Sequence, residues 1–134
     1  MVLQKKKNFS HVQNIDIIVD RASVTHNSLF NIKETLLNSF LVLKPGGYFI
    51  GVDWFSTNHS GFKLGRQDGD LCTRNNIEEG RFKNVGLVHF SNESHIRSLF
   101  SYFQIISLEE KIVNSYEPNS NYQFASWNIV ARKI

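Results

Sequence analysis

Two clusters of side chains with chemical capacity stand out in this 134-residue sequence. Asp20, Arg21, Ser23 and His26 follow one short apolar run; Asp53, Trp54, Phe55 and Ser56 follow another, with His59 close behind. An imidazole titrates near neutral pH, so His26 and His59 are the candidates for proton removal, although neither has an orienting partner visible along the chain. Trp54 and Phe55 offer ring faces on which an aromatic or cationic group can stack. Arg21 can pair an anionic group, and Asp20 can act as a base. Each reading has a plainer counterpart. Asp20 also suits a solvated acid at a strand end, Arg21 a surface ion pair, Trp54 and Phe55 core packing, and the histidines ordinary loop positions. Other chemistries lack their patterns. No G-x-S-x-G elbow occurs, the five histidines and one cysteine show no zinc-like spacing, and Asp68-Gly69-Asp70 lacks the ligand ladder of a calcium loop. No metal is expected, and Cys72 reads as a free thiol without marks of a nucleophile.

The elements that must position these groups follow from periodicity. Ile15-Asp16-Ile17-Ile18-Val19-Asp20 is nearly continuous in apolar character, which suits a strand covered on both faces in the middle of a parallel sheet. Burying each of its Ile and Val side chains contributes about 1.5–3 kcal/mol. Leu29, Ile32, Leu36, Leu37, Phe40 and Leu43 then recur at helical spacing, with Asn31, Lys33, Glu34 and Asn38 between them as a polar face. Asn27 or Ser28 supplies the N-cap, Lys44 complements the helix dipole, and Pro45-Gly46-Gly47 stops the helix. Tyr48-Phe49-Ile50-Gly51-Val52 is a second strand, completing a βαβ unit with a right-handed crossover.

Residues 53–86 form a long stretch of weak periodicity, rich in Gly, Asn, Ser and Thr, read as a functional or mobile loop with a short helical turn near residues 75–79. Order resumes at Leu87-Val88-His89-Phe90. Ser91 is a plausible N-cap for a helix carrying Ile96, Leu99, Phe100 and Phe103. Residues 104–113 and 123–131 read as strands, the second with Ala125, Trp127, Ile129 and Ala131 on one face. Two strands joined without a helix pair antiparallel. The order is β-α-β-loop-α-β-β in an α/β fold.

Composition bounds the rest. With 41% hydrophobic and 20% charged residues, and only two Pro and eight Gly, one domain with a real core is expected, not a disordered chain. No apolar run approaches the ~20 residues of a membrane helix, and a lone cysteine makes no internal disulfide, so a soluble cytoplasmic protein is expected. Lys and Arg exceed Asp and Glu by 15 to 12, a net charge of +3. The one basic cluster, Lys5-Lys6-Lys7, lies in the N-terminal segment 1–14 and reads as a solvated tail, which argues against a nucleic-acid partner.

The order of elements, with these residues, resembles the C-terminal half of a class I S-adenosylmethionine-dependent methyltransferase. Ile-Asp-Ile-Ile-Val-Asp-Arg at 15–21 looks like the family's fourth strand, often F-D-x-I-x-D. Leu-Val-Leu-Lys-Pro-Gly-Gly at 41–47 is similar to the turn before its fifth strand, and residues 89–134 resemble its last helix and reversed terminal strands. The resemblance implies a partial Rossmann-like sheet and S-adenosylmethionine as methyl donor. It implies that Asp20, Arg21 and Ser23, with His26, line the donor and transfer site, Asp20 toward the donor's ammonium group. It further implies that Asp53, Trp54, Phe55 and Ser56 help enclose a small-molecule acceptor. In open α/β sheets ligands do sit beyond the carboxyl ends of the strands.

The family's glycine-rich donor loop has no counterpart here, since neither G-x-G-x-x-G nor G-x-G-x-G occurs, and only fourteen residues precede Ile15. The chain therefore reads as an incomplete methyltransferase-like domain over 1–134, truncated or separately encoded. Its strand at 15–19 is expected to find a partner only on the Tyr48 side, and a bare apolar edge recruits another strand. A second copy, a missing N-terminal half or the segment before Ile15 would fill it; otherwise the chain is marginally stable. Two functions follow: methyl transfer as part of a complete domain, or a non-catalytic interaction module that associates through that edge.

Overall fold

The computed structural model describes residues 13–118 and 120–134. The basic cluster Lys5-Lys6-Lys7 lies outside the described residues. Strand β1 (Ile15–Arg21) leads through a turn into helix α1 (Leu29–Val42), which returns to strand β2 (Leu43–Phe55). Ser28 is the N-cap, its Oγ accepting from the Asn31 amide at 3.3 Å. At the other end Lys133 reaches in from the C-terminal segment, its ammonium donating to the carbonyls of Phe40 (2.7 Å) and Leu43 (2.9 Å). Those carbonyls have no helical partner of their own, so a distant cation closes α1. Helix α2 (Ser60–Leu64), strands β3 (Arg66–Asp68) and β4 (Asp70–Asn75), a 3-10 turn (Gly80–Phe82) and strand β5 (Val88–His89) come next. Helix α3 (Glu93–Leu99), strand β6 (Gln104–Ser115) and strand β7 (Tyr122–Arg132) finish the chain.

The described strands form two sheets, one ordered β1-β2-β7-β6 and one ordered β3-β4-β5. β1 runs parallel to β2, β7 inserts antiparallel between β2 and β6, and β6 pairs with β7 over nearly its whole length. This is the expected α/β architecture of a parallel βαβ unit followed by a helix and an antiparallel hairpin. Ala125, Trp127, Ile129 and Ala131 are all buried, as their alternation requires.

Three expectations change. Strand β1 is not covered on both faces: it pairs on the Tyr48 side, the only partner among the described residues, but Ile17 and Val19 remain 55% and 62% exposed. Both long helices pack on the other sheet face, where Ile18, Phe49, Trp54, Trp127 and Ile129 meet Ile32, Leu36, Ile96 and Phe100. Residues 53–86 are not one long loop. β2 continues to Phe55, and the stretch beyond it builds the small sheet over a second apolar cluster of Phe55, Ile77, Phe82, Val88 and Phe90. Five residues of that cluster have no regular spacing, so periodicity misses them. Finally, the cap of α3 is Asn92, whose side chain accepts from the His95 amide at 2.8 Å, and not Ser91. No helix among the described residues is long and apolar enough to cross a membrane.

Candidate functional site

The register Asp20↔Gly51 and Arg21↔Val52 brings the carboxyl ends of β1 and β2 side by side, so the two residue groups that follow them meet. Asp20 is buried and fully engaged. Its carboxylate accepts from the Ser23 hydroxyl, from the Val24 amide at 3.3 Å on either oxygen, and from the Trp54 indole N–H at 2.9 Å. A buried charge needs such partners, and here they fold residues 20–24 into a tight turn. Ala22 within it has a φ of 60°, a conformation that costs an L-residue about 1–2 kcal/mol and persists because the turn is held from several sides.

A bulge in β2 decides which side chain faces Asp20. Between Gly51 and Trp54 the pairing with β7 slips, and Asp53 takes a φ of 55°. Strict alternation would place Asp53 on the core face with Phe49 and Gly51. The bulge gives that place to Trp54, whose indole lies over Gly51 so closely that a Cβ there would sit 3.0 Å from Nε1. Trp54 is thus buried among Phe49 and Phe100, with its one polar atom spent on Asp20. Asp53 turns to the opposite face. There it meets Lys111 Nζ at 3.1 Å, Arg21 Nε at 3.4 Å and the Ser126 hydroxyl at 3.2 Å. Partial burial pushes its pKa up, but the Lys111 ammonium, the Ser126 hydroxyl and the Arg21 guanidinium outweigh it, and the carboxyl titrates below its ordinary value. Ser56 is buried, donating to Glu110 at 2.5 Å and accepting from the Asn58 amide at 3.0 Å.

Both candidate histidines flank Phe55, with ring centroids 5.6 Å (His26) and 6.0 Å (His59) from it, but they differ in state. His26 is half-buried, its Nδ1 3.2 Å from the Leu87 carbonyl. A carbonyl only accepts, so the proton sits on Nδ1 and the Nε2 lone pair is left for chemistry. This is the orienter that the sequence does not reveal. His59 is 1% exposed and caps α2, its Nδ1 accepting from the Gly61 amide at 3.0 Å. Phe82, Phe90, Tyr122 and Phe124 enclose the ring, and Nε2 has no hydrogen-bond partner. Burial, aided by the positive charge of Arg81, pushes its pKa down to about 4, so it is neutral at physiological pH. The structure places His59 as a packing and capping residue, out of reach of a solvent-borne acceptor.

The same edge carries clefts built from residues with no motif to announce them. One of about 740 Å³ opens between the 3-10 turn and the β6–β7 hairpin, lined by Arg81, Val113, Tyr116, Tyr122 and Phe124 among others. Arg81 lies 5.2 Å over the Phe124 ring, and the Tyr122 hydroxyl accepts from its amide at 3.3 Å. A second groove, of about 360 Å³, follows the unpaired edge of β1, walled by Ile18, Asp20, Ser23, Val24 and Phe49. Of the sequence candidates, Asp20, Arg21 and Ser23 line the groove beside β1, Asp53 and His26 are partly exposed but line neither cleft, and Trp54, Phe55, Ser56 and His59 are buried.

On the small sheet a separate cluster of polar side chains has formed. Cys72, His89 and His95 place their Sγ and imidazole nitrogens within 4.8 Å of one another, although nothing in their spacing along the chain suggests it. Burial pushes the pKa of His89 down to about 4 and lowers that of His95; burial, with Asp70 nearby, raises that of Cys72.

No protein-family model matches this sequence, and no curated protein matches it significantly. Solved structures do. A crystal structure of a SAM-dependent methyltransferase from Methanosarcina mazei superposes with a TM-score of 0.69 at 20% identity, over 92% of this chain and 61% of that one. An S-adenosylmethionine-dependent methyltransferase from Mesorhizobium loti gives 0.60 at 14% identity, over 91% and 63%. The 1,6-didemethyltoxoflavin-N1-methyltransferase of Burkholderia thailandensis, solved with 1,6-didemethyltoxoflavin and S-adenosylhomocysteine bound, gives 0.53 at 17% identity, over 88% and 43%. The chain thus has part of a Rossmann-like methyltransferase fold, and it spans between 43% and 63% of the length of these structures.

Proposed function

We propose that this chain forms the acceptor-facing part of an S-adenosylmethionine-dependent methyltransferase, working in the cytoplasm on a small molecule. The observation that carries this reading is the convergence at one end of the sheet: Asp20, Arg21 and Ser23 line the groove along the bare edge of β1, Ala22 among them is strained, and the strained Asp53 of β2 pairs with Arg21. Strain of this kind collects at functional sites. When bound, S-adenosylmethionine supplies a methyl group at an electrophilic sulfonium carbon, and displacement there asks the protein chiefly for positioning and exclusion of water.

The residues present fit one flank of such a donor. The groove beside β1 has an apolar wall of Ile18, Val24 and Phe49 and a polar end at Ser23. Because the Asp20 carboxylate is saturated by Ser23, Val24 and Trp54, it serves the donor by holding the turn in shape, not as a free ligand for an ammonium group. Arg21, held by Asp53 and 78% exposed in its side chain, is placed to meet an anionic group on either molecule. Where the acceptor must lose a proton, His26 is the base, through Nε2. Trp54 and Phe55 fix the floor beneath.

A second reading, a non-catalytic module that captures another chain, draws on the bare edge of β1 and on the apolar residues Ile17 and Val19 beside it. The partner under either reading is a strand on that edge, from a second copy, from another polypeptide or from residues before Ile15. Titration calorimetry with S-adenosylmethionine on the purified chain, paired with sedimentation, separates the two. Saturable binding that S-adenosylhomocysteine competes away supports the enzyme. No binding by a chain that sediments as a stable oligomer overturns it in favour of the module.

A further inference from the structure

The cluster on the small sheet is arranged to hold a metal ion. β4 and β5 pair with Thr73 opposite His89, and the Phe90 amide donates to the Cys72 carbonyl at 2.8 Å, which sets Cys72 and His89 at the same end of the sheet. His95 comes from the first turn of α3, fixed by the Asn92 cap. The proton positions follow from the partners. Asp70 accepts from the Thr73 hydroxyl at 2.8 Å, so the Thr73 oxygen is left to accept, and the His89 Nδ1 at 2.9 Å must donate to it. His89 therefore turns an Nε2 lone pair toward His95, whose own Nε2 lies 2.7 Å away and supplies the single proton between them. A carboxylate–hydroxyl–imidazole chain of this kind is what orients a ligating histidine and raises its basicity.

We propose that Cys72, His89 and His95 bind one divalent ion of the zinc class, with the fourth coordination position open to solvent. A thiolate with two imidazoles is a borderline-soft donor set that suits such an ion better than magnesium or calcium. Bonds of about 2.0–2.1 Å to nitrogen and about 2.3 Å to sulfur, at tetrahedral angles, require donor atoms roughly 3.3–3.6 Å apart. The three atoms already lie within 4.8 Å, and parting the imidazoles by a rotation of the half-buried His95 ring makes room. The ion replaces the proton shared by the two nitrogens. His95 remains neutral by carrying its proton on Nδ1, and the Cys72 thiol gives its proton to solvent, so one proton is released per ion bound. Asp70 sets a negative charge behind the cluster; Lys33 and Arg74 bring positive charge near it. Because the His89 amide also donates to the Thr25 carbonyl at 2.7 Å, the ion would brace the small sheet and α3 against the turn that follows β1. The site is independent of the methyl-transfer reading.

Cobalt(II) titrated into the metal-stripped, reduced chain tests this. One equivalent should bind, with the visible absorption of a tetrahedral ion and a thiolate-to-cobalt charge-transfer band, both lost on adding zinc. Cys72→Ser should abolish the charge-transfer band, and His95→Ala, at a half-buried helix position, should weaken binding at least about 10-fold. Thr73→Val, which removes only the hydroxyl behind His89, should weaken it by about 10–100-fold. Far-UV circular dichroism establishes that each variant is folded. Absence of a thiolate band at one equivalent overturns the proposal, as does a band that survives Cys72→Ser or an affinity unmoved by His95→Ala.

Discussion

Each of the two apolar clusters has a buried ionisable group against it, Asp20 in one and His59 in the other, and the two groups are accommodated in opposite ways. Beneath α1 and α3, Asp20 is buried as a charge and is surrounded by donors from Ser23, Val24 and Trp54. Around Phe55, His59 is buried as a neutral ring with one nitrogen bonded to Gly61 and the other facing aromatic carbon. A carboxylate cannot be buried without partners, because its desolvation cost is several kcal/mol. An imidazole can, because it gives up its proton instead. The first cluster therefore stores order in a hydrogen-bond network that shapes the end of β1. The second stores it in ring packing that backs the edge where the clefts open. Between them Asp53, partly buried and facing two cations, belongs to neither.

Truncating Trp54 should break the first cluster most severely. Trp54→Ala removes a fully buried ring and one of the Asp20 donors together, and should cost about 3–5 kcal/mol in urea unfolding. Trp54→Phe keeps most of the packing and isolates the indole N–H; leaving Asp20 one donor short should still cost about 1–3 kcal/mol. If Trp54→Phe is as stable as the parent chain, the Asp20 network is not what holds this end of β1.

The second cluster should be the acid-sensitive one. The His59 pKa lies at about 4 when folded against about 6.5 when unfolded, so between these values the unfolded chain binds the extra proton. Stability is thus undiminished above about 6.5 and falls as the pH is lowered toward 4, by at most about 1.4 kcal/mol per pH unit from this group. His59→Phe should flatten that part of the unfolding profile while leaving the ring packing in place. A profile with unchanged slope would mean that His59 is protonated inside the fold.

The smallest effect belongs to Asp53. Its depressed pKa contributes stability that is present above the unfolded carboxylate range and is lost as the pH falls through the folded value. Lys111→Met should raise that pKa, seen by carboxyl NMR titration, and should cost no more than about 1 kcal/mol, as for other solvent-facing ion pairs. A larger loss would place Asp53 with the buried groups after all.

Much of the frame was legible from local pattern. The helical recurrence from Leu29 to Phe40, the Ser28 cap and the alternation from Ala125 to Ala131 depend on neighbours within a few positions and appear where they were expected. Leu43, by contrast, read as the last helical position, is extended and opens β2 ahead of the Pro45-Gly46-Gly47 stop. The strand at Ile15 was legible as a strand with a neighbour only on the Tyr48 side, but not as one with an open face, where Ile17 and Val19 stay exposed. Its apolar run specifies that something should cover it, not that the covering lies within the described residues. The candidate site was legible as two residue groups at one sheet edge. Which of its members face outward was not, because a single bulge at Asp53 reverses the alternation after Gly51. Likewise Arg81, Tyr122 and Phe124 converge from positions about forty residues apart, with no shared spacing to mark them.

By itself, the sequence determined the order of elements outside residues 53–86, the parallel start and the antiparallel finish, and where the polar groups gather along the chain. These follow from periodicity and capping, which act over one or two turns. Only the tertiary structure decided that His59 is sealed in rings while His26 keeps a free nitrogen, that Trp54 and not Asp53 faces Asp20, and that Cys72 meets His89 and His95. Those outcomes depend on burial and on partners distant in sequence, and burial is a property of the packed chain that no local stretch carries.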